Sequence, residues 1–235
     1  MRPQTFAATA TVLLLVACGA QPVVRPAAGA VQVPLASGPV SASFDADAVN
    51  QPPAGFTVHT IGPGRPSRWV VAEAADAPSP GNGAGKVLMQ ADDDDTNHRY
   101  PCVLSTAGRF GDVRVEVMGK GISGNRDRSF GVIVRALDER NYFVARCNTV
   151  NENVRLYRFV DGVRKDLAEW EGSAKPGVWH YLALEVRGDR LTVFFNGKQI
   201  LQHTDATFPE PGRVGLWTKA EAVSQFDDFK ATPLK

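Results

Sequence analysis

Methionine and cysteine are scarce in this 235-residue chain, with three of each, and histidine is barely commoner, with four. His59, His98, His180 and His203 are scattered, and none combines with a cysteine at metal-ligand spacing, which excludes a zinc centre. Charge of one sign is lacking too. Lys and Arg number 26 against 25 Asp and Glu, for a net charge of +1, so nucleic acid is not an expected partner. No apolar run reaches the roughly 20 residues of a membrane-spanning helix. No unit of about 20–50 residues recurs, which disfavours a propeller. A Gly-x-Ser-x-Gly elbow and a protease-type cysteine motif are both missing, so nucleophilic catalysis finds no foothold.

What is present begins with "MRPQTFAATATVLLLVACGA". One positive charge, Arg2, precedes a short apolar run, the pattern of a secretory signal. The ending Leu15-Val16-Ala17-Cys18 resembles a bacterial lipobox. That resemblance implies a signal peptide over residues 1–17 and a lipid on Cys18. It further implies a membrane anchor through that lipid alone and a place in the bacterial cell envelope. Ordinary signal cleavage near "ACGA" is the alternative. Residues 18–42, rich in Ala, Pro, Val and Gly, read as a flexible tether. Residues 43–235 then form the folded domain. With Cys18 spent on lipid, Cys102 and Cys147 remain in an exported chain. They form either a cross-strand disulfide or two separate buried thiols.

Beyond Phe44 the chain reads as short strands and turns. "DVRVEVMG" alternates Val113, Val115 and Val117 with Arg114 and Glu116, the period of a half-buried strand. "SRWVVA", "GKVLMQ", "YPCVLS", "FGVIVRA", "NYFVARCN", "NVRLYRFV", "RKDLAEW", "WHYLALEVRG", "RLTVFFNG", "KQILQHTD", "RVGLWTK" and "SQFDDFKA" are further candidates. Asp161-Gly162, Gly188-Asp189 and Asn196-Gly197 punctuate them, the last being a strong hairpin signal. Only "DLAEWEGSA" has room for one helical turn. The expected class is all-β, a two-sheet antiparallel sandwich. Phe226 and Phe229 are three apart, so a regular strand cannot point both into one core; a bulge or a strand end is required.

From "GVWHYLALEVRGDRLTVFFNGKQIL" through "GRVGLW" to "FDDF" the pattern resembles a concanavalin A-like jelly roll, laminin G-like modules included. "NYFVAR", "VRLYR" and "FDDF" are similar to bacterial 3-keto-disaccharide hydrolase-like domains. The resemblance covers roughly residues 44–232. It implies a jelly-roll fold and three functional classes. These are a carbohydrate- or glycoconjugate-binding module, a glycoside-processing hydrolase, and a protein-interaction module of laminin G type. No cofactor is required by any of them. Such jelly rolls imply a structural calcium between terminal strands, with Asp45 and Asp228 as its ligands here. The run Asp92-Asp93-Asp94-Asp95 lacks the alternation and glycine of a calcium loop and reads as solvated. Family 16 glycosidases, which share the fold, carry Glu-x-Asp-x-x-Glu; this chain has no such spacing, which argues against a retaining glucanase.

Arginines stand out inside these strands. Period two places Tyr142 and Arg146 on one face of their strand, and Arg155 and Tyr157 on one face of the next. Arg135 shares a face with Ile133 and is a candidate for the same groove as Arg146 and Arg155. Arg158 shares one with Leu156 and Val160, and Arg140 lies in a turn. Tyrosine offers a stacking face and arginine a rigid fork of donors, the composition of a groove for sugars. Trp179, Trp217 and Lys219 extend that candidate groove. His98 and Arg99, adjacent in a loop, join the candidate ligand-binding set. His180 shares parity with Leu182, Leu184 and Val186 and reads as a core-edge residue. The competing reading is a solvent-facing sheet whose arginine stems cover apolar surface.

Overall fold

Among the described residues fifteen strands form, and none is helical. The computed structural model describes residues 22–25, 33–78 and 85–235, so Cys18 and the signal segment lie outside the described residues. The strands in chain order begin with β1 (Val40–Ala42), β2 (Phe56–Ile61), β3 (Trp69–Glu73), β4 (Lys86–Gln90) and β5 (Tyr100–Ser105). Next come β6 (Val113–Ser123), β7 (Ser129–Ala136), β8 (Tyr142–Asn148), β9 (Asn153–Val160) and β10 (Val163–Glu171). The last are β11 (His180–Arg187), β12 (Arg190–Phe195), β13 (Lys198–Thr204), β14 (Arg213–Trp217) and β15 (Val223–Pro233).

One sheet has the order β13-β12-β11-β6-β15-β4-β3, with β1 also pairing β15. The other runs β10-β9-β8-β7-β14-β5-β2. The two stack as an antiparallel jelly-roll sandwich. Alternation drives the stacking. Val113, Val115 and Val117 turn inward beside Leu182 and Leu184, against Phe130, Val132 and Val134 of the facing sheet. Each fully buried side chain of this size contributes about 1.5–3 kcal/mol. His180 sits at the core edge, 5% exposed, its ring 5.1 Å from Phe195 and 6.3 Å from Phe130.

Bulges solve the parity problems. In β15 the register against β6 shifts between Asp227 and Lys230, with Asp228 at φ 51°, and this turns both Phe226 and Phe229 into the core. "DLAEWEGSA" forms no helical turn; β10 continues through it with a shift between Asp166 and Ala168. Gly215 lies where a Cβ would meet Val103 O at 2.0 Å, so only glycine admits β5 at that distance.

Two expectations need correction. The domain starts before residue 43: Val40 pairs with Ala231 and Ala42 with Phe229, and Leu35 bridges Arg109. Free backbone N–H and C=O groups beside a sheet edge capture such a segment. A Cys102–Cys147 disulfide is not formed. Cys102 points to the outer face of its sheet and Cys147 into the core between the sheets. Phe130 pairs with Cys147, Gly131 with Trp217 and Trp217 with Cys102, so three strand spacings separate the thiols. At about 4.8 Å each that is twice the roughly 7 Å limit for a bridge. Burial pushes the Cys147 thiol up to about 12 and that of Cys102 higher still.

Candidate functional site

The seven-stranded sheet carries a second apolar cluster on the face turned away from the sandwich core. Tyr100, Tyr142, Tyr157, Phe159 and Trp217 form it with Ile61, Cys102, Leu104, Ile133 and Val144. The faces of β8 and β9 fall as period two requires, with Tyr142 and Val144 outward and Phe143 and Ala145 inward. The rings lock together. Tyr142 lies 4.7 Å from Phe159, Tyr100 lies 4.9 Å from Phe159, and Trp217 Nε1 donates to Tyr142 Oη at 3.1 Å. Burial drives the Tyr142 phenol well above its ordinary range.

These rings are covered because the sheet curls. Gly162, after β9, comes so close to β2 that a Cβ there would lie 3.2 Å from Ile61 Cγ2. Opposite edges of the sheet thus meet, and between them lies a cavity of about 320 Å³ lined by Gly62, Pro63, His98, Tyr100, Gly162, Val163 and Arg164. His98 Nδ1 contacts Tyr100 Oη at 3.1 Å.

Next to the aromatic floor runs a continuous ladder of polar groups. Lys219 Nζ pairs with Asp127, whose Oδ1 also accepts from Ser129 Oγ at 2.5 Å and Asn148 Nδ2 at 3.2 Å. Arg146 Nη2 lies 3.9 Å from Asp127, and its Nη1 donates to Asn153 Oδ1 at 2.9 Å. Asn153 Nδ2 donates to Glu169 Oε1 at 2.8 Å, and Arg155 Nε donates to the same oxygen at 2.6 Å. Arg155 reaches Asp166 at 3.6 Å, and Asp166 holds Arg164 at 3.2 Å. Two guanidinium groups face the Tyr157 ring: Arg164 at 4.6 Å from its centroid and Arg146 at 5.7 Å. Tyr157 and Trp217 are fully buried and Asp127, Arg146 and Asn153 nearly so, whereas Lys219, Arg155, Arg164, Asp166 and Glu169 reach solvent, and each carboxylate is neutralised by a cation.

Of the residues expected in the groove, Tyr142, Arg146, Arg155, Tyr157, Trp217, Lys219 and His98 share this face. Three do not. Arg135 has φ 54°, which breaks its alternation; its guanidinium turns to the end of the sandwich, bonding Pro209 O, Gly188 O and Asp112. Trp179 packs on the other sheet's outer face with Ala72, Ala74, Ala77 and Val87, under Lys120 Nζ at 4.8 Å. Arg99 is fully buried and ties three segments together through Arg65 O, Ala220 O and Asp92 Oδ1. Its donors are spent on the protein. The Asp92–Asp95 run is likewise organised rather than merely solvated: Asp94 accepts from Arg65 N–H at 2.6 Å and from Thr96, which holds its carboxyl well below the ordinary range.

Asp45 and Asp228, expected as calcium ligands, belong to no cluster of three acids among the described residues. Lys86 Nζ donates to the carbonyl oxygens of Asp45 and Asp47, and the Lys86 backbone N–H donates to Asp45 Oδ1. Among the described residues no three His, Cys, Asp or Glu side chains come together as a metal-holding group.

Sequence reasoning missed Asp127, Asn153, Arg164, Asp166, Glu169 and Tyr100. Asp127 precedes β7 on the parity of Ile133, and Asn153 shares parity with Arg155, so both were accessible to pattern. Glu169 was not: only the shift in β10 brings it opposite Arg155 while Asp166 stays opposite Tyr157.

A family model described as the 3-keto-alpha-glucoside-1,2-lyase-like domain matches residues 81–232. The chain belongs to this family. The matched stretch includes the whole ladder from Asp127 to Lys219. No curated protein matches the chain. Among solved structures, this lyase-like domain is similar to the carbohydrate binding module CBM66 from Bacillus subtilis, with TM-score 0.58 and 20% identity over 76% of this chain and 95% of that one. The laminarinase from Rhodothermus marinus gives TM-score 0.57 and 12% identity over 83% and 96%. The Bacillus licheniformis beta-glucanase gives 0.54 and 10% over 84% and 99%. At such identities these neighbours establish the fold, a concanavalin A-like jelly roll, and nothing finer.

Proposed function

We propose that the chain is a bacterial envelope lipoprotein, anchored through Cys18, whose curled sheet binds a carbohydrate or glycoconjugate. The ladder from Lys219 to Arg164 around Tyr157 carries this reading. Sugar hydroxyls both donate and accept. The solvent-reaching end of the ladder, Lys219, Arg155, Arg164, Asp166 and Glu169, presents pre-positioned cationic donors and carboxylate acceptors that complement them. Family membership and the carbohydrate-binding and glucan-active neighbours support a glycan as the partner. A glycan array followed by titration calorimetry on the lead sugar tests it. Arg146→Ala and Arg155→Ala, each with a native near-UV spectrum, should weaken binding. Equal binding by both variants would refute the groove.

A second reading is favoured by the family description together with two carboxylates, Asp127 and Glu169, and a lysine on one groove. A ketone at C3 of a glucoside acidifies the hydrogen at C2. Removal of that proton by a base sends the C2–H electron pair into a C1–C2 double bond, breaks the C1–O bond and releases the aglycone oxygen, which takes up a proton. The products are the free aglycone and a conjugated enone. Incubation with a 3-keto-α-glucoside, followed by ultraviolet absorbance and mass spectrometry, tests this reaction. Its loss in Asp127→Asn would support the reading, and an unchanged substrate with the unaltered chain would sink it.

A further inference from the structure

The described residues of the expected tether, 22–25 and 33–42, run along the sandwich. Val24 N–H donates to Thr207 O at 2.7 Å. Ala36 N–H donates to Arg109 O and Arg109 N–H to Pro34 O, both at 2.9 Å, and Arg109 Nε donates to Val33 O at 2.5 Å. Val24 and Ala36 also pack against the core. Gly108 makes room for this path. It has φ 140°, and a Cβ there would lie 2.7 Å from both Ala36 N and Ala36 Cα, a backbone clash that no side-chain rotation relieves.

All of these contacts lie at one end of the sandwich. Asp205 N–H donates to Asp189 O in the β11–β12 turn, and Arg135 reaches Gly188 O and Pro209 O there. The inner part of the ladder is at the opposite end. Asp127 precedes β7, Asn148 closes β8 and Asn153 opens β9, whereas Ala136, Tyr142 and Val160 mark the other ends of those strands. With eight residues in β9, the two ends are about 23 Å apart at roughly 3.3 Å per residue.

We infer that the docked segment orients the domain at a lipid surface, with the Thr207–Asp189 end toward the bilayer and the Asp127–Asn153 end of the ladder away from it. This rests on the proposed lipid at Cys18. Only six residue steps separate Cys18 from Val24, and at about 3.6 Å per residue they span at most roughly 22 Å. A leash free up to residue 43 would span about 90 Å and leave orientation unconstrained. Docking converts a long flexible spacer into a short mount. A glycan would then enter from the side away from the anchoring membrane.

The test uses the full-length lipidated chain in phospholipid vesicles containing a donor-labelled lipid. An acceptor dye is placed at Asp189→Cys or at Asn151→Cys, since native Cys102 and Cys147 are buried. Energy transfer should be at least about twofold greater at 189 than at 151, given a separation comparable with the length of β9. Val24→Pro, which removes the N–H donor, and Gly108→Val, which displaces Ala36, should each reduce that difference while the domain stays folded. Should Gly108→Val unfold, Val24→Pro alone carries the comparison. Equal transfer at both positions, in a chain whose mass includes the lipid, would overturn the orientation and leave the anchored reading intact. A difference that survives both variants would also overturn it. Absence of lipid mass on Cys18 would overturn both.

Discussion

Arg158→Met should be among the most damaging single changes to a charged residue. Arg158 is 6% exposed, and its Nη1 donates to Asp205 Oδ2 at 2.6 Å and to Thr207 Oγ1 at 2.7 Å. The Asp205 side chain is fully buried, and its Oδ1 accepts from Thr207 N–H at 2.9 Å. Methionine keeps much of the stem volume and removes the positive charge, leaving a buried carboxylate without its counter-ion. Breaking a buried pair from one side costs about 3–5 kcal/mol. For a domain of this size each kcal/mol shifts the melting temperature by about 2–4 °C, so a fall of roughly 6–20 °C is expected. The double variant Arg158→Met/Asp205→Leu should recover much of the loss, because no charge remains to be desolvated. Guanidinium titration followed by tryptophan fluorescence, with thermal melts in parallel, measures both. A loss below about 1 kcal/mol in the single variant, or a double variant no better than it, would refute the reasoning.

The groove arginines behave differently. Arg155, with its side chain 29% exposed and paired to Glu169, should cost no more than about 1 kcal/mol of stability on mutation to alanine, while glycan affinity falls roughly tenfold; unfolding curves and calorimetry on one preparation separate the two effects. Cys102 and Cys147 should resist iodoacetamide in the folded chain near neutral pH and both react after unfolding, with no mass change on reduction; ready labelling of the folded chain would contradict their burial. Asp94 stabilises the fold in its ionised form, because its folded carboxyl titrates below the ordinary 3.8. That contribution is complete above 3.8 and disappears as pH falls through the folded value, so the melting-temperature gap between Asp94→Asn and the unaltered chain should narrow from about pH 7 to about pH 2.

Much of the site was legible because period two is a local rule. It placed Arg146 with Tyr142, Arg155 with Tyr157 and Arg158 with the core, each as the structure has it. It failed at Arg135, where a positive φ turns the side chain to the end of the sandwich. It also failed at Glu169, which a bulge rotates onto the groove. Trp179 belongs to the right kind of strand approach but to the other sheet, and sheet membership is not a local property.

The chain's own residues therefore determined the strands, their turns and the faces of Arg146, Arg155 and Arg158, since backbone geometry and apolar alternation act over a few neighbours. Tertiary structure decided the rest. The curl that brings Gly162 to Ile61, the three-strand separation of Cys102 from Cys147 and the capture of Val24 and Ala36 all depend on pairings between residues far apart in the chain. Those pairings are settled by the fit of whole sheets and by unfilled edge hydrogen bonds, which no short stretch of sequence encodes.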